Sequence, residues 1–249
     1  MALIDFDLIK NFQEETQGGE VQQAAKNLLA KLGIFPLEIK GDIPDNGPLL
    51  IISNHPGGLD SFTLLASVKR KDFYFVALST YQIFGKILSD RLLPIYRKKS
   101  INHYFFEYPL HLSKTPGREK LSLEEARVKN RETIQKAAVH ISDRHAVSIF
   151  PMGSVGKKQT TNNWKSGVGH LVKQIKNSQT QVIFIKIENG GKTDLVRFLH
   201  PIIRKFAFKN KKRIVNISSP VLLNDLIKPN EAPREITKKL EQAYHKEWQ

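Results

Sequence analysis

Apolar positions recur along this chain in two distinct periods. Val21, Ala24, Ala25, Leu28, Leu29 and Leu32 fall three or four apart, the spacing that lines one face of a helix, and Gly33 follows as a stop. Residues 5 to 33 are therefore expected to be helical. The run Pro48-Leu49-Leu50-Ile51-Ile52 is apolar throughout and reads as a buried strand. Phe73 to Leu78, Leu92 to Ile95, Val147 to Phe150, Val182 to Ile187 and Ile214 to Ile217 read as further strands. Helical patterns at 60 to 70, 80 to 90, 121 to 142, 164 to 176 and 233 to 247 lie between or after them. Ser122 with Glu125 forms a capping-box pattern, and Pro233 suits a first helical turn. Strands alternating with helices predict an α/β fold, a mostly parallel sheet flanked by helices. Residues 1 to 40 form an amino-terminal helical segment in this reading and 41 to 249 the main domain. The amphipathic amino-terminal face suits either packing on a core or lying in a lipid interface.

Composition narrows the setting. The 249 residues carry 39 Lys and Arg against 24 Asp and Glu, a formal charge of +15. Such an excess attracts nucleic acid, anionic lipid headgroups, a phosphate-bearing substrate or an acidic carrier protein. Lys205, Lys209, Lys211, Lys212 and Arg213, interleaved with Phe206 and Phe208, form the densest basic and aromatic cluster. No nucleic-acid module accompanies it, which counts against nucleic acid. Cysteine is absent, so disulfides, thiol nucleophiles and thiolate metal sites are excluded. The stretch Met1 to Asp7 has acids where a secretory signal has basic residues, and no apolar run approaches the ~20 residues of a spanning helix. A cytoplasmic protein that meets a membrane by lying on its inner face is the expectation. The connection from Lys98 to Lys120 is long and irregular, with Tyr104, Phe105, Phe106 and Tyr108 grouped within it. Its aromatic residues suit an acyl pocket, a membrane surface or the sheet edge alike.

The chemistry concentrates at Asn54-His55-Pro56-Gly57-Gly58-Leu59-Asp60, directly after the first predicted core strand. His55 and Asp60 stand five positions apart across a Pro-Gly-Gly turn. The glycines let the chain reverse, so the carboxylate can return to an imidazole nitrogen and orient a general base. The same spacing also suits a helix cap at Asp60 or Ser61 with His55 as an ordinary loop residue. Gly153-Ser154-Val155-Gly156-Lys157 has neither the glycine spacing nor the Ser or Thr after lysine that a phosphate-binding P-loop needs. It also lacks the spacing of a nucleophile elbow. His103, His111, His140 and His145 form no zinc-ligand spacing, and no metal or permanently bound cofactor is expected.

Four segments in order resemble the blocks of the glycerol-phosphate and lysophosphatidic acid acyltransferase superfamily. His55 and Asp60 match its His-x-x-x-x-Asp block. Leu93-Pro94-Ile95-Tyr96-Arg97 is similar to the second block, whose arginine binds an acceptor anion. Phe150-Pro151-Met152-Gly153-Ser154 resembles the third, which shapes the acceptor pocket, and Val182-Ile183-Phe184-Ile185 the apolar fourth. Lys165 falls where the family often has a Lys-x-Gly segment opening a helix. The likeness spans roughly residues 45 to 190. It implies transfer of a fatty acyl group from an acyl-thioester, acyl-CoA or acyl carrier protein, to a hydroxyl of a lyso-lipid or related acceptor. Direct transfer needs no protein nucleophile, only a base, His55, its orienting Asp60, and oxyanion donors, for which the amides of Gly57, Gly58 and Gly153 are candidates.

One position departs from the pattern. The family's acidic residue in the third block is Met152 here, and a thioether cannot accept strong hydrogen bonds from hydroxyls or balance a cation. That departure points toward the lyso-ornithine lipid acyltransferase or haemolysin-like branch and to a more apolar acceptor. The alternative is a non-catalytic basic protein that binds membrane or nucleic acid on the same scaffold.

Overall fold

The computed structural model describes residues 5–97, 121–155, 164–198, 202, 204–205, 210–228 and 230–249. Among the described residues eight strands form one sheet: β1 (Leu37–Lys40), β2 (Leu49–Ser53), β3 (Phe73–Leu78), β4 (Leu92–Ile95), β5 (Ala146–Ile149), β6 (Gln181–Glu188), β7 (Arg213–Ile217) and β8 (Val221–Leu222). They are ordered β1-β7-β6-β2-β5-β3-β4, with β8 paired to β6. All neighbours are parallel except β7 and β8, which each run antiparallel to β6. The expected mostly parallel sheet is therefore present.

Helices cover both faces because β2 and β6 are apolar on both. Leu49 and Ile51 of β2, with Ile183, Ile185 and Ile187 of β6, pack against α1 (Phe6–Thr16), α2 (Val21–Lys31) and α3 (Asp60–Ser67). Leu50 and Ile52, with Val182 and Phe184, face α5 (Leu123–Ser142), α6 (Gly167–Val172) and α8 (Pro233–Glu247). This alternation is the period of two of a pleated strand with a core on each side. A short α4 (Lys86–Ser89) precedes β4, and α7 (Leu223–Leu226) follows β8.

The amino-terminal helical stretch is two helices, not one. Gly18 and Gly19 separate them, with Gly19 at φ 83, and the second folds back so that Asn27 and Lys31 reach Glu15. Phe12 meets Phe62 and Phe84 edge-on with both centroid separations 5.5 Å, so this amphipathic face packs on the core. The stretch expected as a helix at 80 to 90 is a 3₁₀ turn, Ser79–Phe84, followed by α4, because Gly85 at φ 98 breaks the helical path. The helix expected at 164 to 176 is shorter, Gly167–Val172. Strands β1 and β8 were not foreseen. Both are sheet-edge or two-residue elements whose apolar content is too small to stand out from a loop. The capping box holds: Ser122 Oγ accepts from the Glu125 amide and the Glu125 carboxylate accepts from the Ser122 amide.

Strand directions gather the site at one end. β2 ends at Ser53 beside Ile185 of β6, β6 runs on to Glu188, and the antiparallel β7 begins there with Arg213. The carboxyl ends of β2, β5, β4 and β6 therefore open onto a common rim, where sheets of this type take ligands.

Candidate active site

Asn54 ends β2 and ties it to its neighbour. Its side-chain Nδ2 donates to Ile187 O at 2.8 Å and its Oδ1 accepts from the Ile187 amide at 2.7 Å, extending the ladder by one amide plane. Pro56-Gly57-Gly58 then turns the chain into α3. A side chain on Gly57 would overlap the Asp194 carboxylate and the Gly191 amide, and one on Gly58 would overlap Leu195. Only glycine lets this turn approach the 3₁₀ segment Lys192–Phe198 so closely.

The turn returns Asp60 to His55, as the spacing predicts. The Asp60 Oδ2 lies 2.9 Å from His55 Nδ1 and accepts from the Gly57 amide at 2.7 Å. Asp60 makes no helix-capping bond; the helix begins at it and its carboxylate points to the imidazole. An acceptor carboxylate on Nδ1 assigns the proton to that nitrogen and leaves the Nε2 lone pair available. Phe150, at the end of β5, covers one face of the imidazole, with centroids 4.4 Å apart and planes 19° from parallel.

Asp60 is completely buried and is held from behind by Arg213. Arg213 Nη1 donates to Asp60 Oδ1 at 2.9 Å, and its Nη2 donates to Asp194 Oδ2 at 2.7 Å. Burial pushes the Asp60 carboxyl above the ordinary range, while the donors on His55, Arg213 and Gly57 pull it back down. Arg213, read in the sequence as part of the basic and aromatic cluster, is fully buried. Its neighbours in sequence, Lys211 and Lys212, do reach the surface, whereas Lys209, Phe206 and Phe208 lie outside the described residues. Sequence proximity to lysines hid this arginine's role. Asp194, its second partner, was not foreseen either, since a lone acid in a loop carries no spacing signal.

The second and third blocks meet beside this pair. Phe150, Pro151, Met152 and Gly153 form a turn in which the Gly153 amide donates to Phe150 O at 3.0 Å, with Gly153 at φ 63. Arg97 is exposed after β4, and its Nη2 donates to Gly153 O at 2.6 Å. The Lys165 amide donates to Pro151 O at 2.8 Å, and its exposed side chain passes the same glycine. Two cations thus converge on one turn next to the stacking partner of His55. Met152 is buried, and Ser154 Oγ is buried with no partner among the described residues. Of the three amides considered as oxyanion donors, Gly57 is spent on Asp60 and Gly153 on Phe150. The Gly58 amide alone has no acceptor among the described residues. Lys157 and the aromatic connection 98 to 120 lie outside those residues.

This sequence matches the model of the acyltransferase family over residues 36–187, well over half of its length. The chain belongs to the acyltransferase family. The four blocks fall inside that match: the first three meet at the rim, and the fourth is the buried strand β6 beside β2. Among solved structures, the 1-acyl-sn-glycerophosphate (LPA) acyltransferase PlsC of Thermotoga maritima is similar, with a TM-score of 0.50 at 15% identity. The match covers 92% of this chain and 78% of that one. At this identity the likeness supports the fold. No curated protein sequence matches. Among the described residues no helix is long and apolar enough to cross a membrane, and no three His, Asp or Glu side chains cluster as a metal site.

Proposed function

We propose that this acyltransferase moves a fatty acyl group from an acyl-thioester, acyl-CoA or acyl carrier protein, to a hydroxyl of a lyso-lipid in membrane lipid synthesis. The observation that carries this reading is the 2.9 Å contact of His55 Nδ1 with a buried, doubly anchored Asp60, set at the rim beside Arg97. The acceptor hydroxyl gives its proton to His55 Nε2 as its oxygen attacks the thioester carbonyl. Asp60 holds the Nδ1 proton and stabilises the imidazolium so formed. The Gly58 amide is the best-placed of the three expected donors to receive the oxyanion, since the others are already engaged. Collapse of the tetrahedral intermediate expels the thiolate, which takes the proton back from the imidazolium. No covalent acyl-enzyme is needed.

Arg97 and Lys165 bind the acceptor's anionic group. Arg97 keeps donors beyond the one that Gly153 O engages, and its fork suits a phosphate or carboxylate. Met152 supports an acceptor other than glycerol 3-phosphate, because the turn that carries an acid in the family presents a buried thioether here. An acyl amino-acid lipid of the lyso-ornithine type fits such a pocket. The protein works on the inner face of the membrane: Phe35, 61% exposed, lies with Lys211 and Lys212 where β1 and β7 begin, at the rim that carries His55. An exposed aromatic flanked by lysines suits an anionic bilayer surface.

A lipidomic comparison of cells with and without the protein tests the acceptor. A lyso-lipid that accumulates on loss, and that purified protein acylates from an acyl-thioester, is the expected result. An unchanged lipid profile with no transfer to any lyso-lipid would reject the reading.

A further inference from the structure

The catalytic pair does not end at Asp60. Behind it Arg213 spans two carboxylates, Asp60 at 2.9 Å and Asp194 at 2.7 Å, and Asp194 Oδ2 also accepts from the Gly191 amide at 2.9 Å. The side chains of Asp60 and Arg213 are fully shielded from solvent, and that of Asp194 is 2% exposed. Asp60, Arg213 and Asp194 together carry one net negative charge, and Arg197, also buried, stands on the segment that carries Asp194 and feels the charges of both Asp194 and Arg213. His55, in contact with Asp60 at the other end of the chain of charges, is the side chain that can gain a charge by taking a proton.

We propose that Arg213 and Asp194 are positioning residues that set the basicity and tautomer of His55 through Asp60. Arg213 alone would neutralise Asp60 and remove the attraction that favours an imidazolium. Asp194 balances Arg213, so Asp60 keeps its anionic character toward His55 while Arg213 keeps it ionised despite burial. The guanidinium fork also fixes the carboxylate plane: with Oδ1 held by Nη1, Oδ2 is presented to both Nδ1 and the Gly57 amide. Buried charge of this kind costs stability unless each member is paired, which is the physical reason to look for a use beyond folding.

Among the described residues, Tyr81, Arg197 and Lys211 are further titratable groups near the cluster. Tyr81, on the 3₁₀ turn after β3, is pushed up to about 12 by burial, with the Asp60 charge adding to the rise, and stays neutral. Arg197, on the same 3₁₀ segment as Asp194, feels the Asp194 charge but donates through Nη1 to Leu32 O at 3.1 Å. Lys211 enters from the loop before β7, its Nζ close to Gly191. Because the Asp194 charge also acts on Arg197, the Arg213 signal and the double variant with Arg213, beside the single variant, are what assign a shift to the relay.

The catalytic consequence rests on the acyl-transfer reading, but the arrangement itself can be tested without substrate. In protein labelled with ¹⁵N-histidine, the neutral His55 ring should carry its proton on Nδ1, with the signal assigned by its loss in His55→Gln. Asp194→Asn keeps the shape and removes the balancing charge. The His55 titration midpoint should then fall by about one pH unit, a tenfold loss of proton affinity. The double variant Asp194→Asn/Arg213→Gln removes one charge of each sign and should return the midpoint toward that of the unmodified protein. In the unmodified protein, which carries no folding risk, the Arg213 guanidinium ¹⁵N signals should move at the His55 midpoint. An Arg213 signal that stays still through that range, or a folded Asp194→Asn protein with an unshifted His55, would overturn the relay. A shifted midpoint in a protein that transfers no acyl group would uphold the relay and reject only the proposed reaction.

Discussion

The imidazole of His55 lies nearly parallel to the phenyl ring of Phe150, centroids 4.4 Å apart, so the first and third sequence blocks touch through two ring faces. A proton gained by His55 therefore places a cation over an aromatic face, an interaction of ~1 kcal/mol when partly desolvated. Phe150→Leu keeps most of the buried volume and removes that face. It should lower kcat about fivefold with little change in KM, and thermal unfolding should confirm a folded protein. An unchanged kcat would mean that the stack is packing alone.

Arg97 bears on binding rather than on chemistry. Its exposed guanidinium stands at the Gly153 carbonyl, on the turn that also carries Phe150. Arg97→Ala should raise KM for an anionic acceptor about tenfold or more, as expected for losing a charge-assisted hydrogen bond, and leave kcat within a few-fold. Arg97→Lys should restore only part of the loss, because an ammonium cannot reproduce a two-pronged contact. Steady-state kinetics with acceptor varied at saturating acyl-thioester checks both.

Met152 is the test of acceptor class. It is only 3% exposed, so Met152→Glu introduces an acid that must find a partner, and the Arg97 and Lys165 cations beside the turn supply one. The substitution should lower thermal stability and shift relative kcat/KM toward glycerol-based acceptors and away from lyso-ornithine-type lipids. Competition between the two acceptors in one assay measures the ratio. Efficient use of glycerol 3-phosphate by the unmodified protein would contradict the assignment.

Arg70 and Asp72 provide a pH-dependent stability element away from the rim, where β3 begins. The Arg70 side chain is buried and donates to Asp72 through Nε at 2.9 Å and Nη2 at 2.5 Å, and to Arg144 O at 3.0 Å. Burial tends to raise the Asp72 carboxyl, but the Arg70 hydrogen bonds and charge outweigh it and hold it below the ordinary value. A carboxyl held low contributes stability that is present above its ordinary range and lost as pH falls through the lowered value. Asp72→Asn should destabilise the protein by about 1 kcal/mol near neutral pH, a partly exposed carboxylate being screened by solvent, and flatten the acid limb of a stability-against-pH curve. Acyl transfer by the folded variant should be unaffected, since the pair sits at the end of the sheet opposite His55.

How far the sequence could be read depended on where the signal resided. β2 and β6 stood out because strands buried on both faces are continuously apolar, and His55 with Asp60 stood out because both lie on one turn within reach of each other. Arg213 and Asp194 lie more than 130 residues from Asp60 in the chain, so nothing local ties them to it. Three-dimensional closure of β7 against β6 brings them there, and an arginine after four basic or polar neighbours looks like surface until that closure is known. The break between α1 and α2 was written in Gly18-Gly19 but was outweighed by a helical period that continues on both sides. The amides of Gly57 and Gly153 were plausible oxyanion donors from position alone, and only the hydrogen bonds they make remove them.

The most direct measurement of the central claim is acyl transfer by His55→Ala beside the unmodified protein, with radiolabelled acyl-thioester and a panel of lyso-lipids presented in anionic vesicles. His55 is a turn residue outside both apolar cores, so the variant should fold and melt as the unmodified protein does. The unmodified protein should transfer acyl groups to at least one lyso-lipid, and His55→Ala should lose ~10² to 10⁴ in rate. Near-normal turnover by a folded His55→Ala protein would contradict the claim.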